Sequence, residues 1–136
     1  TAEKIDPVLF LIRKKAQILC DKKYPSNEQF YIVSLSSRVI TYKGMLTAHQ
    51  LGDYFADLCD PDCESYVALV HSRFATNTFP GWKRAHPYRY MCHNGEINTV
   101  QGNRNWQSAR EGVMSSELMP NFEQFCPIVE DEGSDS

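Results

Sequence analysis

Arginine, asparagine, histidine and aromatic side chains crowd into residues 71–110, HSRFATNTFPGWKRAHPYRYMCHNGEINTVQGNRNWQSAR. Arg73 closes an apolar run, where a guanidinium can clamp a carboxylate through two parallel hydrogen bonds. The same residue also reads as one half of a surface or interdomain salt bridge. Asn94-Gly95 has two readings as well. It is either a tight turn closing a hairpin or a place where a side-chain amide and a backbone N–H converge on a developing oxyanion. The apolar alternation of Tyr90 and Cys92 reaches Ile97 only if the chain kinks or bulges at Gly95, and Asn98 opens a helix directly afterwards, so a hairpin would have no second strand. A carboxylate clamp beside an oxyanion site suits acyl transfer from an amino-acid substrate. That chemistry also needs a nucleophile and a base, which the sequence does not offer.

Other residues carry weaker signals. Thr1 is a conceivable N-terminal nucleophile, but Thr-Ala-Glu-Lys leads into an amphipathic helix rather than a buried strand, so it reads as a cut end. Cys92-His93 suggests a thiol and imidazole pair, yet neighbours on a strand point to opposite faces, and Cys92 reads as a small core residue. His49, His71 and His86 lack metal-site spacing and read as solvated or hydrogen-bonded side chains. Trp82, Lys83, Arg84, Tyr88, Arg89 and Tyr90 interleave cations with aromatics as single-strand binders do. A formal charge of −3 and the lack of a wider basic stripe weigh against nucleic acid and against an anionic membrane surface.

The chain has 136 residues, 42% of them hydrophobic, which suits one domain or a piece of a larger one, with no internal boundary. Apolar runs end after four or five residues, too short for a membrane span. No signal peptide is legible. Five cysteines without CxxC spacing argue against a disulfide framework or zinc site and for free thiols in a reducing compartment, so the chain is expected not to be secreted.

The elements that must position the central segment follow from periodicity and punctuation. Asp6-Pro7 reads as an N-cap and first helical residue, and Leu9, Ile12, Ala16 and Leu19 recur on one face, which predicts a helix over residues 7–20. Residues 30–35 and 39–43 are rich in β-branched and aromatic side chains around Ser36-Ser37-Arg38 and predict a β-hairpin. Thr47 and Gln50 have the spacing of a capping box before a short helix. Residues 66–74 and 88–97 read as two more strands, the first with a buried centre of Val67, Ala68, Leu69 and Val70. Asn98 can cap a last helix over residues 99–111, weakened by Gly102 and ended at Gly112. From Ser115 onward the hydrophobic period fades.

Three motifs, His71-Ser72-Arg73-Phe74, His93-Asn94-Gly95-Glu96-Ile97-Asn98 and Gly102-Asn103-Arg104-Asn105-Trp106, together resemble the class II glutamine amidotransferases. The Asn-Gly-Glu-Ile core is shared with asparagine synthetases. Arg73-Phe74-Ala75-Thr76-Asn77-Thr78-Phe79-Pro80-x-Trp82 and Gly102-Asn103-x-Asn105-Trp106 narrow the resemblance to the glutaminase domains of glutamate synthases. It runs from about residue 30 to 136 and is most specific over 71–111. It implies an α+β fold, part of an αββα N-terminal-nucleophile sandwich with antiparallel sheets. Arg73 would bind the α-carboxylate of L-glutamine, Asn94 and the Gly95 N–H would form the oxyanion hole, Thr76 and Asn77 would line the pocket, and Asp135 would hold the substrate's ammonium. In such enzymes the nucleophile is an N-terminal cysteine, which this chain lacks, so the segment alone is expected to be an incomplete domain unable to hydrolyse glutamine.

The rest of the amidotransferase domain and a synthase domain are the implied partners. FMN, an iron–sulfur cluster and NAD(P)H or ferredoxin are implied for the parent enzyme, and no cofactor or metal is expected within this segment. Cytoplasm or an organellar stroma is the implied location. Another class II amidotransferase, of asparagine or hexosamine synthesis, and a non-catalytic glutamine-binding module stay open as alternatives.

Overall fold

A computed structural model of the chain describes residues 2–25, 30–74, 80–95 and 99–129. Its longest element is α1, Ala2–Lys23. The helix begins before the expected residue 7, and Pro7 lies inside it rather than at its first position. A proline this close to a helix start removes one backbone donor without breaking the helix. Asp6 is therefore no N-cap. Its carboxylate instead accepts hydrogen bonds from the Ser37 N–H at 2.7 Å and the Ser36 hydroxyl at 3.3 Å, with the Arg38 guanidinium 3.7 Å away. The Ser37 backbone bond, foremost, holds the Asp6 carboxyl below its ordinary pKa.

The packing face of α1 also differs from expectation. Ile12 and Leu19 are exposed. Asp6, Phe10 and Gln17 do the joining: Phe10 stands edge-on to Phe125 with ring centres 6.4 Å apart, and the Gln17 amide donates to Asp21 at 2.9 Å and to the Phe30 carbonyl at 3.5 Å. The periodicity is helical either way. The inward side is mixed, with Leu9, Phe10 and Ala16 half-buried beside Asp6 and Gln17.

No strand is formed among the described residues, so the expected antiparallel sheets are not seen there. Residues 30–43 do fold back on themselves at a bend over Ser37 and Arg38. Serine hydroxyls serve that bend: Ser34 Oγ accepts from the Thr41 N–H at 3.0 Å, and Ser36 Oγ from the N–H groups of Arg38 and Val39 at 3.1 and 3.3 Å. Serine competes with ladder bonding in this way wherever it sits beside a turn. Residues 66–70 depart furthest from expectation, since Tyr66, Val67, Leu69 and Val70 are all exposed rather than buried. A short apolar run buries itself only if another layer covers it, and no layer of described residues does.

The short helix α2, Gln50–Tyr54, follows Thr47 as expected. Half of the capping box forms: the Gln50 carbonyl oxygen Oε1 accepts from the Thr47 N–H at 3.0 Å and from the Thr47 hydroxyl at 2.8 Å. A 3-10 turn, Ala56–Cys59, packs against α2, so closely that a Cβ at Gly52 would lie 2.8 Å from Cys59 Sγ. The last helix, α3, spans Val100–Glu111. Thr99 precedes it in the left-handed region, at φ 71° and ψ 40°, and gives no side-chain cap. The expected cap, Asn98, lies outside the described residues.

The best-buried hydrophobic residues are Ala85, Phe122 and Phe125. Phe122 and Phe125 open and close a 3-10 turn, Phe122–Phe125, whose three-residue repeat puts both rings on one side. At the end of residues 30–43 stands Lys43, a buried lysine that reaches the turn around Ala85. Its ammonium donates to the carbonyls of Ala85 at 2.5 Å and Trp82 at 3.1 Å, and it sits over the rings of Tyr31 and Tyr88 at 4.7 and 5.1 Å. Arg89 lies over Tyr31 too, at 5.1 Å, and donates to the Ile32 carbonyl. Burial, reinforced by the Arg89 charge, pulls the Lys43 pKa down to about 8.

Two outcomes are expected. Phe125→Ala should lower the unfolding free energy by about 3 kcal/mol in urea titration, the usual range for deleting a buried phenylalanine ring. Between pH 8 and 10.5 the unfolded chain keeps a proton that folded Lys43 has already released. Stability from this group should therefore rise with pH across that window and go flat in Lys43→Met.

Candidate functional site

Residues 71–74, 81–88 and 91–95 meet without a sheet, held by single hydrogen bonds and ring contacts. The Phe74 carbonyl accepts from the His86 N–H at 3.3 Å. Phe74 stands edge-on to Trp82 with centroids 5.1 Å apart. Trp82 lies in the turn that Lys43 holds by its carbonyl, and the N–H groups of Arg84 and Ala85 bond to the Gly81 carbonyl to close that turn. Cys92 Sγ approaches the Val70 carbonyl at 3.8 Å, which lays residues 91–95 beside the approach to Arg73. Tyr88 and Met91 bracket a further turn, with the Tyr88 N–H donating to the Met91 carbonyl at 2.8 Å.

Three imidazoles fill the junction. His86 is buried, stacks on His71 with centroids 4.5 Å apart and planes 19° from parallel, and stands edge-on to His93 at 4.9 Å. His71 Nε2 lies 3.0 Å from the His93 carbonyl, while its Nδ1 lies 3.2 Å from the Arg73 nitrogen and 2.9 Å from the Arg73 carbonyl. A ring protonated at Nε2 donates to His93 and accepts the Arg73 N–H; a ring protonated at both nitrogens donates to both carbonyls. His93 Nδ1 in turn lies 3.2 Å from the Gly95 carbonyl. His86 Nδ1 is buried without a hydrogen-bond partner. Burial first, then the nearby His71, His93 and Lys43, lowers the pKa of His86.

The sequence-predicted residues fall into two groups. Arg73, Asn94 and Gly95 are described, exposed, and carried by two segments that His71 joins. No other described residue makes an ion pair with the Arg73 guanidinium. Nor does Asn94-Gly95 form the hairpin turn, since a two-residue Asn-Gly turn needs positive φ and no described glycine has it. Among the described residues a Cβ added at Gly95 would meet only His93 Nδ1, at 3.8 Å, so none of them fills the space over this step. Thr76, Asn77 and Asp135 lie outside the described residues.

The histidine cluster itself was not legible. His71 and His86 read as separate side chains and His93 as a neighbour of Cys92, and only the fold shows that the three share one junction. Among the described residues no group of three or more His, Cys, Asp or Glu side chains could hold a metal ion. No described helix is long and apolar enough to cross a membrane. A shallow cavity lined by Met114, Ser115, Ser116, Met119, Pro120 and Phe122 contains none of the candidate site residues.

The chain belongs to the class II glutamine amidotransferases, whose family profile, described as glutamine amidotransferases class-II, matches residues 1–136. Among curated proteins it is similar to the NADH glutamate synthase of Saccharomyces cerevisiae, 47% identical over 94% of the chain and 6% of that protein. The large chain of NADPH glutamate synthase from Bacillus subtilis is 49% identical over 94% of the chain and 8% of that protein. The ferredoxin-dependent glutamate synthase of Antithamnion sp. is 44% identical over 98% of the chain and 9% of that protein. The chain thus spans less than a tenth of the length of each of these relatives.

One pH dependence follows from the junction. The pKa of His86 is lowered in the folded state, so below the ordinary histidine value of 6.5 the unfolded chain takes up a proton that the folded chain refuses. Stability from this group should be complete above that value and decline as pH falls below it. Urea midpoints compared at pH 7.5 and 5.5 should show the decline in the parent sequence, and a smaller one in His86→Leu.

Proposed function

We propose that this chain is the glutamine-receiving part of the glutaminase domain of a glutamate synthase, within an αββα N-terminal-nucleophile fold. The observation that carries this reading is the junction: an exposed Arg73 and an exposed Asn94-Gly95 step lie on two segments joined by one imidazole. Class membership and the likeness to three kinds of glutamate synthase supply the substrate and the branch. The Arg73 guanidinium binds the α-carboxylate of L-glutamine, Asp135 binds its ammonium, and Thr76 and Asn77 line the pocket between. As a nucleophile adds to the side-chain amide carbon, the carbonyl oxygen gains negative charge. The Asn94 amide and the Gly95 N–H stabilise that charge. As the intermediate collapses, the proton given up by the nucleophile passes to the nitrogen, the C–N bond breaks and ammonia leaves. Water then cleaves the glutamyl–nucleophile bond to release glutamate.

The ammonia then serves a synthase domain that makes glutamate from 2-oxoglutarate. FMN, the iron–sulfur cluster and NAD(P)H or ferredoxin belong to that part of the parent enzyme. The chain's free cysteines suit a reducing compartment, the cytoplasm or a stroma.

Steady-state glutaminase kinetics of the full-length protein test the roles. Loss of a charge-assisted clamp is worth about 1.5–3 kcal/mol, so Arg73→Ala should raise KM for glutamine by about 10- to 100-fold. Asn94→Ala should cost about 100- to 1,000-fold in kcat, the usual effect of removing one oxyanion donor. Unchanged glutamine kinetics in both variants would overturn the reading.

A further inference from the structure

We infer that His71 is a positioning residue for this site: its ring fixes the distance between the Arg73 clamp and the Asn94-Gly95 oxyanion donors. The inference rests on the roles proposed above for those three residues. No strand ladder joins residues 71–74 to residues 91–95 among the described residues. Beside the long Cys92 contact with Val70, His71 Nε2 bonds one segment directly to the other through the His93 carbonyl at 3.0 Å. At its other edge the same ring meets the Arg73 backbone, 3.2 Å from the nitrogen and 2.9 Å from the carbonyl. One rigid planar group therefore touches the peptide that carries the clamp and the peptide that leads into Asn94.

The ring's own orientation is fixed from behind. His86 stacks on it at 4.5 Å, is buried, and is tied by its backbone to Phe74, the residue after the clamp. His93 closes the circuit, since its ring meets both His86 at 4.9 Å and the Gly95 carbonyl at 3.2 Å. Glutamine must reach from the clamp to the oxyanion site, so a shift of either segment misplaces its reacting carbon. Misplacement by about 1 Å can cost on the order of a hundredfold in rate. Ligands that use only the clamp end are indifferent to that distance.

The test compares two competitive inhibitors of glutaminase activity in the full-length protein. One is the γ-aldehyde analogue of glutamine, whose adduct places an oxyanion in the hole. The other is L-norvaline, which offers the α-carboxylate and α-amino group on the same carbon chain without the amide. In His71→Ala the aldehyde inhibition constant should rise at least tenfold and kcat should fall similarly, with the norvaline constant changed less than threefold. His71→Gln, whose amide can still donate to the His93 carbonyl, should recover a substantial part of the loss. Equal weakening of both inhibitors, or no recovery in His71→Gln, would show a merely structural role and overturn the inference. So would wild-type aldehyde affinity in His71→Ala. Arg73→Ala serves as the separate control: if it leaves glutamine and norvaline binding unchanged, the clamp assignment itself has failed, whatever His71 does.

Discussion

A buried ammonium that must find oxygen acceptors is the constraint on which the rest of this structure turns. Lys43 cannot retreat to solvent, and its burial is severe enough to pull its pKa down to about 8. The carbonyls of Trp82 and Ala85 and the faces of Tyr31 and Tyr88 compensate it. Satisfying one charge thus pins the turn over residues 81–85 to residues 30–43. Because Trp82 meets Phe74 and the His86 N–H bonds to the Phe74 carbonyl, the same turn sets where Arg73 emerges. The polar anchoring of α1 through Asp6 and Gln17 follows the same principle, in that directional bonds to backbone groups do the joining where apolar area is small.

The proposed site inherits its geometry from these bonds. Arg73, Asn94 and Gly95 sit on segments without regular structure, and loops held by a few strong contacts commonly carry function. The three imidazoles supply planar, bifunctional connectors of a length that suits two adjacent peptides. Their cost is visible in His86, whose buried Nδ1 has no partner and whose protonated form is disfavoured.

Helices were more legible in the sequence than their surroundings. A 3.6-residue period announced α1, cap and stop signals at Asn98 and Gly112 announced α3, and the Thr47–Gln50 spacing announced α2. The period could not say which stripe of α1 would face inward, because Asp6 and Gln17 pack through partners far along the chain. Residues 66–70 read as a buried strand on composition alone, but burial depends on what covers a run. The Phe122–Phe125 turn went unread because two aromatic rings three residues apart are too few to make a period, yet they form most of the core. For the site, residue types at Arg73 and Asn94-Gly95 were sufficient to name candidates. The backbone then spoke only to the turn, since Gly95 lacks the positive φ that an Asn-Gly hairpin needs. What linked them, His71 through His86 to His93, is a property of three-dimensional adjacency that no spacing in the sequence encodes.

The uncovered run at residues 66–70 has a consequence for how the chain behaves in solution. Exposed Tyr66, Val67, Leu69 and Val70 present apolar area to solvent. A net charge of only −3 gives little mutual repulsion to keep copies apart. Among the described residues that side is left as apolar area which a further layer of protein would bury.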